Sequence, residues 1–222
     1  GRGCEVLCVE PFVDGGGSPQ TVGACFVETC EKKVRESGAQ ISTIIGRYFA
    51  MDRDKRWDRT KKAWDAVVLG RGEACQSKAS AALRREYENG KTDEFMPPLI
   101  FSFPNEQRVR DGDTVLFFNF RADRARQLSQ LLLEEGYDLT TMTRYRDDLD
   151  CPAAFAAQNV PETMAEVLAA HGVRQLHVAE NETYAHVTYF FNGGRREDWP
   201  GETRILVPSP RHADTYDPPP AM

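Results

Sequence analysis

Arginine is the residue type in this chain whose placement suggests chemistry. Arg121 and Arg124 lie in the run Val115-Leu116-Phe117-Phe118-Asn119-Phe120-Arg121-Ala122-Asp123-Arg124-Ala125-Arg126. Its first half is apolar and rich in β-formers, which predicts a buried strand. The remainder, through Leu133, has helical spacing, with Leu128, Leu131 and Leu132 on one face. The two arginines are three apart and so share a face of the predicted first turn. Cations there oppose the helix dipole, so an anion is expected to complete the site. Free N–H groups at a helix start favour phosphate, and a guanidinium grips its oxygens in pairs. The competing reading is a solvated helix with Asp123 as a local partner.

The elements that would position these residues alternate along the chain. Strands are expected at residues 5–13, 39–45, 99–103, 115–120, 139–145, 175–179 and 205–207, and helices at 21–37, 54–69, 78–88, 121–133 and 161–171. The strands at 99–103 and 115–120 are expected to form a hairpin through Asp111-Gly112-Asp113. Residues 184–191 are apolar and ambiguous, with Asn192-Gly193-Gly194 resembling a helix end, and residues 146–160 read as an irregular loop. The pattern predicts an α/β fold, a mostly parallel sheet flanked by helices. Ligands in such folds sit beyond the carboxyl ends of the strands. Arg47 follows the second strand, Arg53 lies in Met51-Asp52-Arg53-Asp54-Lys55-Arg56-Trp57, and Arg121 and Arg124 follow another strand. Their convergence would make a phosphate or carboxylate pocket. The alternative is surface pairing with Asp52, Asp54 and Asp58, worth well under ~1 kcal/mol per pair.

Composition narrows the classes. The chain has 222 residues and a net charge of −6, which suits one large α/β domain or two small lobes and argues against a nucleic-acid coat. No run of 18 apolar residues predicts a membrane span, and the N-terminus lacks a signal-peptide pattern. Cys4, Cys8, Cys25, Cys30, Cys75 and Cys151 form no C-x-x-C pair, so buried free thiols are expected. The four histidines, His171, His177, His186 and His212, have no i, i+4 spacing with a third carboxylate ligand, so no metal is expected in this chain. His186 reads as a core or packing histidine. Ser18 and Ser209 have no evident base, which leaves little for a serine-hydrolase reading. Both termini are expected to be cuts through something larger or the ends of an inserted domain.

The chain resembles the cofactor-independent (2,3-bisphosphoglycerate-independent) phosphoglycerate mutase family. The resemblance rests on residues 46–57 (GRYFAMDRDKRW), Asp93-Glu94-Phe95, residues 113–127 (DTVLFFNFRADRARQ), Gln175 to Glu180, residues 184–194 (YAHVTYFFNGG) and Pro208-Ser209-Pro210. It implies two α/β domains. One is alkaline-phosphatase-like and carries two manganese ions and a serine nucleophile. The other, inserted into it, holds the glyceric acid during interconversion of 3-phosphoglycerate and 2-phosphoglycerate in glycolysis. This chain is similar to the inserted domain over 1–195, with 196–222 a return linker toward the metal-binding domain. On that resemblance Arg47, Arg53, Arg121 and Arg124 bind substrate, and the chain itself carries no cofactor.

Departures from the family pattern matter equally. The family's Gly-Arg-Asp motif, which supplies a substrate-binding arginine and a general-base aspartate, is replaced here by Asp14-Gly15-Gly16-Gly17-Ser18. The lysine of its Glu-Thr-Glu-Lys-Tyr stretch is Thr183, and a hydroxyl cannot supply an ammonium's charge. Two functional readings therefore stand. In one, the chain is a substrate-holding domain, not catalytic alone, that binds 3- or 2-phosphoglycerate beside a metal-domain chain. In the other, it is a repurposed non-catalytic binding or structural subunit of a larger assembly, a pseudoenzyme. Either would work in the cytoplasm, or in an organelle interior if a targeting segment was removed.

Overall fold

The structure is a computed structural model that describes residues 7–101, 109–110, 112–156 and 160–209. The N-terminal apolar run forms two short strands, β1 (Cys8–Val9) and β2 (Phe12–Val13). Between them, Pro11 has no N–H to offer a ladder, and the Glu10 carboxylate accepts the hydroxyls of Ser42 and Thr43. Helix α1 (Gly23–Ser37) ends at Gly38, whose φ of 73° is the left-handed cap glycine tolerates best. Strand β3 (Gln40–Ile41) lies parallel to β1, and β4 (Thr43–Gly46) parallel to β2. Cys8 faces Gln40 but Phe12 faces Ile45, so the β3–β4 side carries an extra residue, a bulge.

Strand β4 runs directly into a short helix, α2 (Arg47–Ala50), where the sequence predicts only a strand end. Helix α3 (Trp57–Leu69) buries Thr60, Ala63, Trp64, Val67 and Val68 at the 3–4 spacing of one helical face. A strand the sequence does not reveal, β5 (Glu73–Cys75), is followed by α4 (Ala79–Glu88) and β6 (Leu99–Phe101). These strands form a four-stranded sheet ordered β2-β4-β6-β5, antiparallel only between β4 and β6. Strand β7 (Thr114–Phe117), helix α5 (Arg126–Glu134), β8 (Asp138–Thr143) and β9 (Ala153–Phe155) follow, and β7-β8-β9 is an all-parallel sheet.

Several expectations are corrected here. No hairpin joins the strands at 99–103 and 115–120: β6 pairs with β4 and β5, whereas β7 pairs with β8. Residues 146–160 are not wholly irregular, because β9 adds a third parallel strand there. The run at 115–120 is not buried on both faces. Within β7, Phe117 is 6% exposed and Leu116 56%, since one face packs into the core and the other does not, and Phe118 and Phe120, past the end of the strand, are 71% and 81% exposed. The helix opens at Arg126, not Arg121. The Tyr145 hydroxyl donates to the carbonyls of Phe117 and Asn119, and Asp123 is engaged by side chains, so residues 121–125 are not helical and only 123–125 form a turn.

Two apolar clusters fill this part of the chain, and β4 separates them. Ile44 and Ile45 are both fully buried, and successive strand residues face opposite ways. Ile45 joins Trp64, Val67, Phe117, Leu128, Leu132, Leu139 and Tyr145. Ile44 joins Val27, Leu83, Met96, Leu99 and Phe101. The second cluster is fastened by Asp93, which is 1% exposed and accepts the Gly23 N–H at 2.8 Å, at the positive end of α1. The Tyr87 hydroxyl donates to the same carboxylate and accepts the Ala24 N–H at 3.0 Å.

The chain divides into two compact units, Gly1–Phe155 and Ala156–Met222. In the second, Thr163 caps α6 (Met164–Ala170) by accepting the Glu166 N–H. Strand β10 (Gln175–Glu180) pairs in parallel with β11 (Glu202–Val207). The ambiguous apolar stretch is helical: α7 (Asn181–Ala185) continues into a π-helical turn, His186–Phe190, and ends before Gly193 and Gly194, both at positive φ. Among the described residues no helix is long and apolar enough to cross a membrane.

Burial, then the hydrogen bond to Asp93, pushes the Tyr87 phenol far above its ordinary pKa. Tyr87→Phe removes both the donor to Asp93 and the acceptor of the Ala24 N–H. The variant is expected to lose about 1–3 kcal/mol of unfolding free energy, read by urea denaturation.

Candidate functional site

Arg47 opens α2 at the carboxyl end of β4. Gly46 lets the Glu94 backbone approach, since a Cβ at position 46 would lie 2.4 Å from the Glu94 carbonyl oxygen. The Gly46 N–H donates to the Met96 carbonyl and the Tyr48 N–H to that of Glu94, which seats residues 94–96 beside Arg47. The guanidinium is then shared by two carboxylates. Nη1 donates to Asp14 Oδ1 at 2.9 Å, while Nη2 and Nε donate to Glu94 Oε1 at 3.2 and 3.3 Å. It passes over Gly16, where a Cβ would lie 1.7 Å from Nη1. Burial works against the charge on Arg47, but the bonds to Asp14 and Glu94 outweigh it and raise its pKa.

Arg53 and Arg121 meet on one carboxylate, that of Asp123, which is 5% exposed. Arg53, itself 9% exposed, donates to its Oδ2. Arg121 donates through Nε to Oδ1 at 2.7 Å and through Nη2 to Oδ2 at 3.1 Å, and its side chain stays 47% exposed. Arg124 Nη1 reaches back to the Met51 carbonyl at 3.1 Å, two residues from Arg53. The sequence places all four arginines after strands; the structure groups three of them and gives Arg47 a separate set of partners, Asp14 and Glu94. Burial raises the Asp123 pKa, but the guanidiniums of Arg121 and then Arg53 more than offset it, holding the carboxyl below its ordinary value of 3.8.

Residues 51–56 form a bend around Asp52. Asp52 is buried, and its Oδ2 accepts the N–H groups of Asp54 at 3.1 Å and Arg56 at 2.9 Å, so it shapes backbone and is not a surface partner of the neighbouring cations. Gln127 of α5, also buried, donates to Asp52 Oδ2 and to Thr60 Oγ1, each at 2.9 Å, and accepts the Lys55 N–H at 2.9 Å. Lys55 sits at φ 59°, a left-handed conformation unusual for a side chain of its size.

The remaining candidates have local roles. Among the described residues no group of three or more His, Cys, Asp or Glu could share a metal ion, so the manganese implied by the resemblance has no fitting site in them. His177 is buried edge-on to Phe191, with Nδ1 3.1 Å from Glu202 Oε1. His186 is exposed and its ring lies against that of Phe190, so it is a packing residue and not a core one. His171 Nδ1 lies 2.8 Å from the Val167 carbonyl, and His212 lies outside the described residues. The described cysteines are free thiols, but only Cys75 is buried; Cys8, Cys30 and Cys151 are half-buried and Cys25 is exposed. The Ser209 hydroxyl donates to Glu180 Oε2 at 3.0 Å.

The site is thus an α/β unit with Arg47 at the end of β4 and Arg53, Arg121 and Arg124 held in the segments that follow β4 and β7. Comparison with known proteins makes this specific. The family model described as BPG-independent PGAM N-terminus matches residues 1–155. The 2,3-bisphosphoglycerate-independent phosphoglycerate mutase of Akkermansia muciniphila is 47% identical over 231 residues, covering 99% of this chain and 45% of that protein. The enzyme of the same name from Symbiobacterium thermophilum is 49% identical, with 98% and 44% coverage. A crystal structure of Leishmania mexicana phosphoglycerate mutase at low cobalt concentration superposes with a TM-score of 0.78 at 29% identity, over 94% of this chain and 43% of that one. The chain belongs to the 2,3-bisphosphoglycerate-independent phosphoglycerate mutase family, and spans less than half the length of these relatives.

Sequence reasoning finds the arginines but not what holds them. Asp123 is legible only as a local partner, and Asp52 as one of several alternating surface acids. Gln127 gives no signal beyond its place within the 113–127 motif.

The Asp123 shift has a pH consequence. A carboxyl whose folded pKa lies below its unfolded one stabilises the fold above the unfolded pKa, and that contribution is lost as pH falls through the folded pKa. Between about pH 5 and about pH 2 the denaturation midpoint of the wild type should therefore fall more steeply than that of Asp123→Asn. Parallel curves would show that Asp123 is not held ionised by its arginines.

Proposed function

We propose that this chain is the part of a 2,3-bisphosphoglycerate-independent phosphoglycerate mutase that holds 3- or 2-phosphoglycerate. The observation that carries the reading is the gathering of Arg53, Arg121 and Arg124 about Asp123 and the Met51 carbonyl. A phosphoglycerate presents a carboxylate and a phosphate a few ångströms apart. Guanidiniums fixed in one rigid cluster can engage both with charge-assisted bonds and orient the hydroxyls between them. Arg47 is assigned to the same ligand, reached by displacing Asp14, the more exposed of its two carboxylates. The domain division follows the same reading: residues 1–195 form the substrate-holding part, and 196–222 lead back toward the metal-binding part, with β11 anchored on β10.

Catalysis in this reading belongs to the rest of the protein, which would supply the serine and the manganese ions, either on one continuous chain or as a partner chain. This chain's residues bind and orient; they move no phosphoryl group alone. The natural setting is the glycolytic interconversion of the two phosphoglycerates, in the cytoplasm or an organelle interior.

A second reading, a non-catalytic binding or structural subunit, is favoured by one feature. Arg47 lies in the space a side chain at Gly16 would fill, already held between Asp14 and Glu94. Calorimetric titration of the purified chain separates the two readings. Saturable binding of 3-phosphoglycerate at or below about millimolar, abolished in the Arg121→Ala, Arg124→Ala double variant, is expected. Absence of binding in the wild type would favour the structural role. No mutase turnover is expected from the chain alone; turnover above background that Arg121→Ala abolishes would overturn that assignment.

A further inference from the structure

Three cross-links join residues 51–56 to residues 121–127. Arg53 bonds Asp123, Arg124 bonds the Met51 carbonyl, and Gln127 bonds Asp52 and the Lys55 N–H. The first two use arginines assigned to the ligand, whose bonds must be free to rearrange when an anion arrives. The third does not. Gln127 is buried on α5, the helix that begins just after the Arg121–Arg124 segment, and its amide faces Asp52, Lys55 and Thr60.

The geometry points to Gln127 as a positioning residue that sets the spacing between Arg53 and the Arg121–Arg124 pair. This rests on the reading of the site as a phosphoglycerate site. The side chain has one acceptor and one amino group, and both are committed to the bend. Its Oε1 takes the N–H of Lys55, the residue forced to φ 59°, and its Nε2 donates to the Asp52 oxygen that also collects the N–H groups of Asp54 and Arg56. Arg53 lies between these two fastened points. With Gln127 gone, the Asp52 turn persists but loses its tie to α5, and the left-handed residue loses its acceptor. Arg53 is then free to shift relative to Arg121 and Arg124 even though every arginine is still present.

A ligand that carries both a carboxylate and a phosphate needs its cations at a fixed separation, whereas inorganic phosphate needs only one local group. That difference makes the role measurable. The full chain is compared with Gln127→Met, which keeps the volume without the hydrogen bonds, and Gln127→Glu, which keeps the Lys55 acceptor but sets a carboxylate against Asp52. Each protein is titrated with 3-phosphoglycerate and, separately, with inorganic phosphate, after thermal melting has shown it folded at the titration temperature.

The expected result is a 3-phosphoglycerate dissociation constant raised by about tenfold or more in both variants, with the phosphate constant changed less than about twofold. Equal weakening for both ligands, or none for either, with wild-type binding intact, overturns the positioning role alone. A wild-type chain that does not bind 3-phosphoglycerate overturns the phosphoglycerate reading, and the positioning role with it. Should one variant fail to fold, the other gives the same comparison.

Discussion

A carboxylate taken out of water must be met by opposite charge, and the first unit is organised around one such carboxylate, Asp123. Its burial would cost several kcal/mol if it stood alone. The stretch from Phe120 to Ala125 brings it to Arg121 within its own segment and to Arg53 from the segment after β4. Meeting that requirement fixes two arginines that are far apart in sequence on a single pair of oxygens. It also interrupts the chain before α5, so the helix begins at Arg126 and Arg121 and Arg124 lie in the segment ahead of it. The grouping of Arg53 and Arg121 thus follows from satisfying a buried anion.

Much of this was visible in the amino-acid order, for identifiable reasons. The helices α1, α3 and α4 have strong apolar spacing and end in glycine or Asn-Gly, so their ends lie within a few residues of expectation. Arg47, Arg53, Arg121 and Arg124 stand out because cations after apolar runs are unusual. The short strands β5 and β9 were hidden because three residues carry no periodicity. The false hairpin came from Asp111-Gly112-Asp113, a strong local turn signal that cannot reveal that its flanking strands belong to different sheets. The long-range contacts were hidden for a different reason. Asp14 and Glu94, which hold Arg47, Asp93, which caps α1, and Gln127, which holds the bend at Asp52, act across long stretches of sequence, and no local pattern distinguishes a buried acid that caps a helix from a solvated one.

The second unit shows the same logic with a glutamate. Glu202 has a fully buried side chain that accepts from Arg204, from Asn192 through both oxygens, and from the Trp199 N–H. Burial raises its pKa, and these donors, Arg204 first, bring it below the ordinary carboxyl value. With His177 alongside, this cluster ties the start of β11 to the segment that follows the π-helical turn. A two-stranded parallel sheet is a weak element by itself, and a buried polar network of this kind gives it a defined register.

Strand β4 has one further consequence. Because Ile44 belongs to one core and Ile45 to the other, neither cluster can open without disturbing the strand that both share. Its amides should exchange with solvent only through large-scale opening, not by local fraying. Arg47 opens α2 at the end of that strand, so its backbone is anchored to both cores at once.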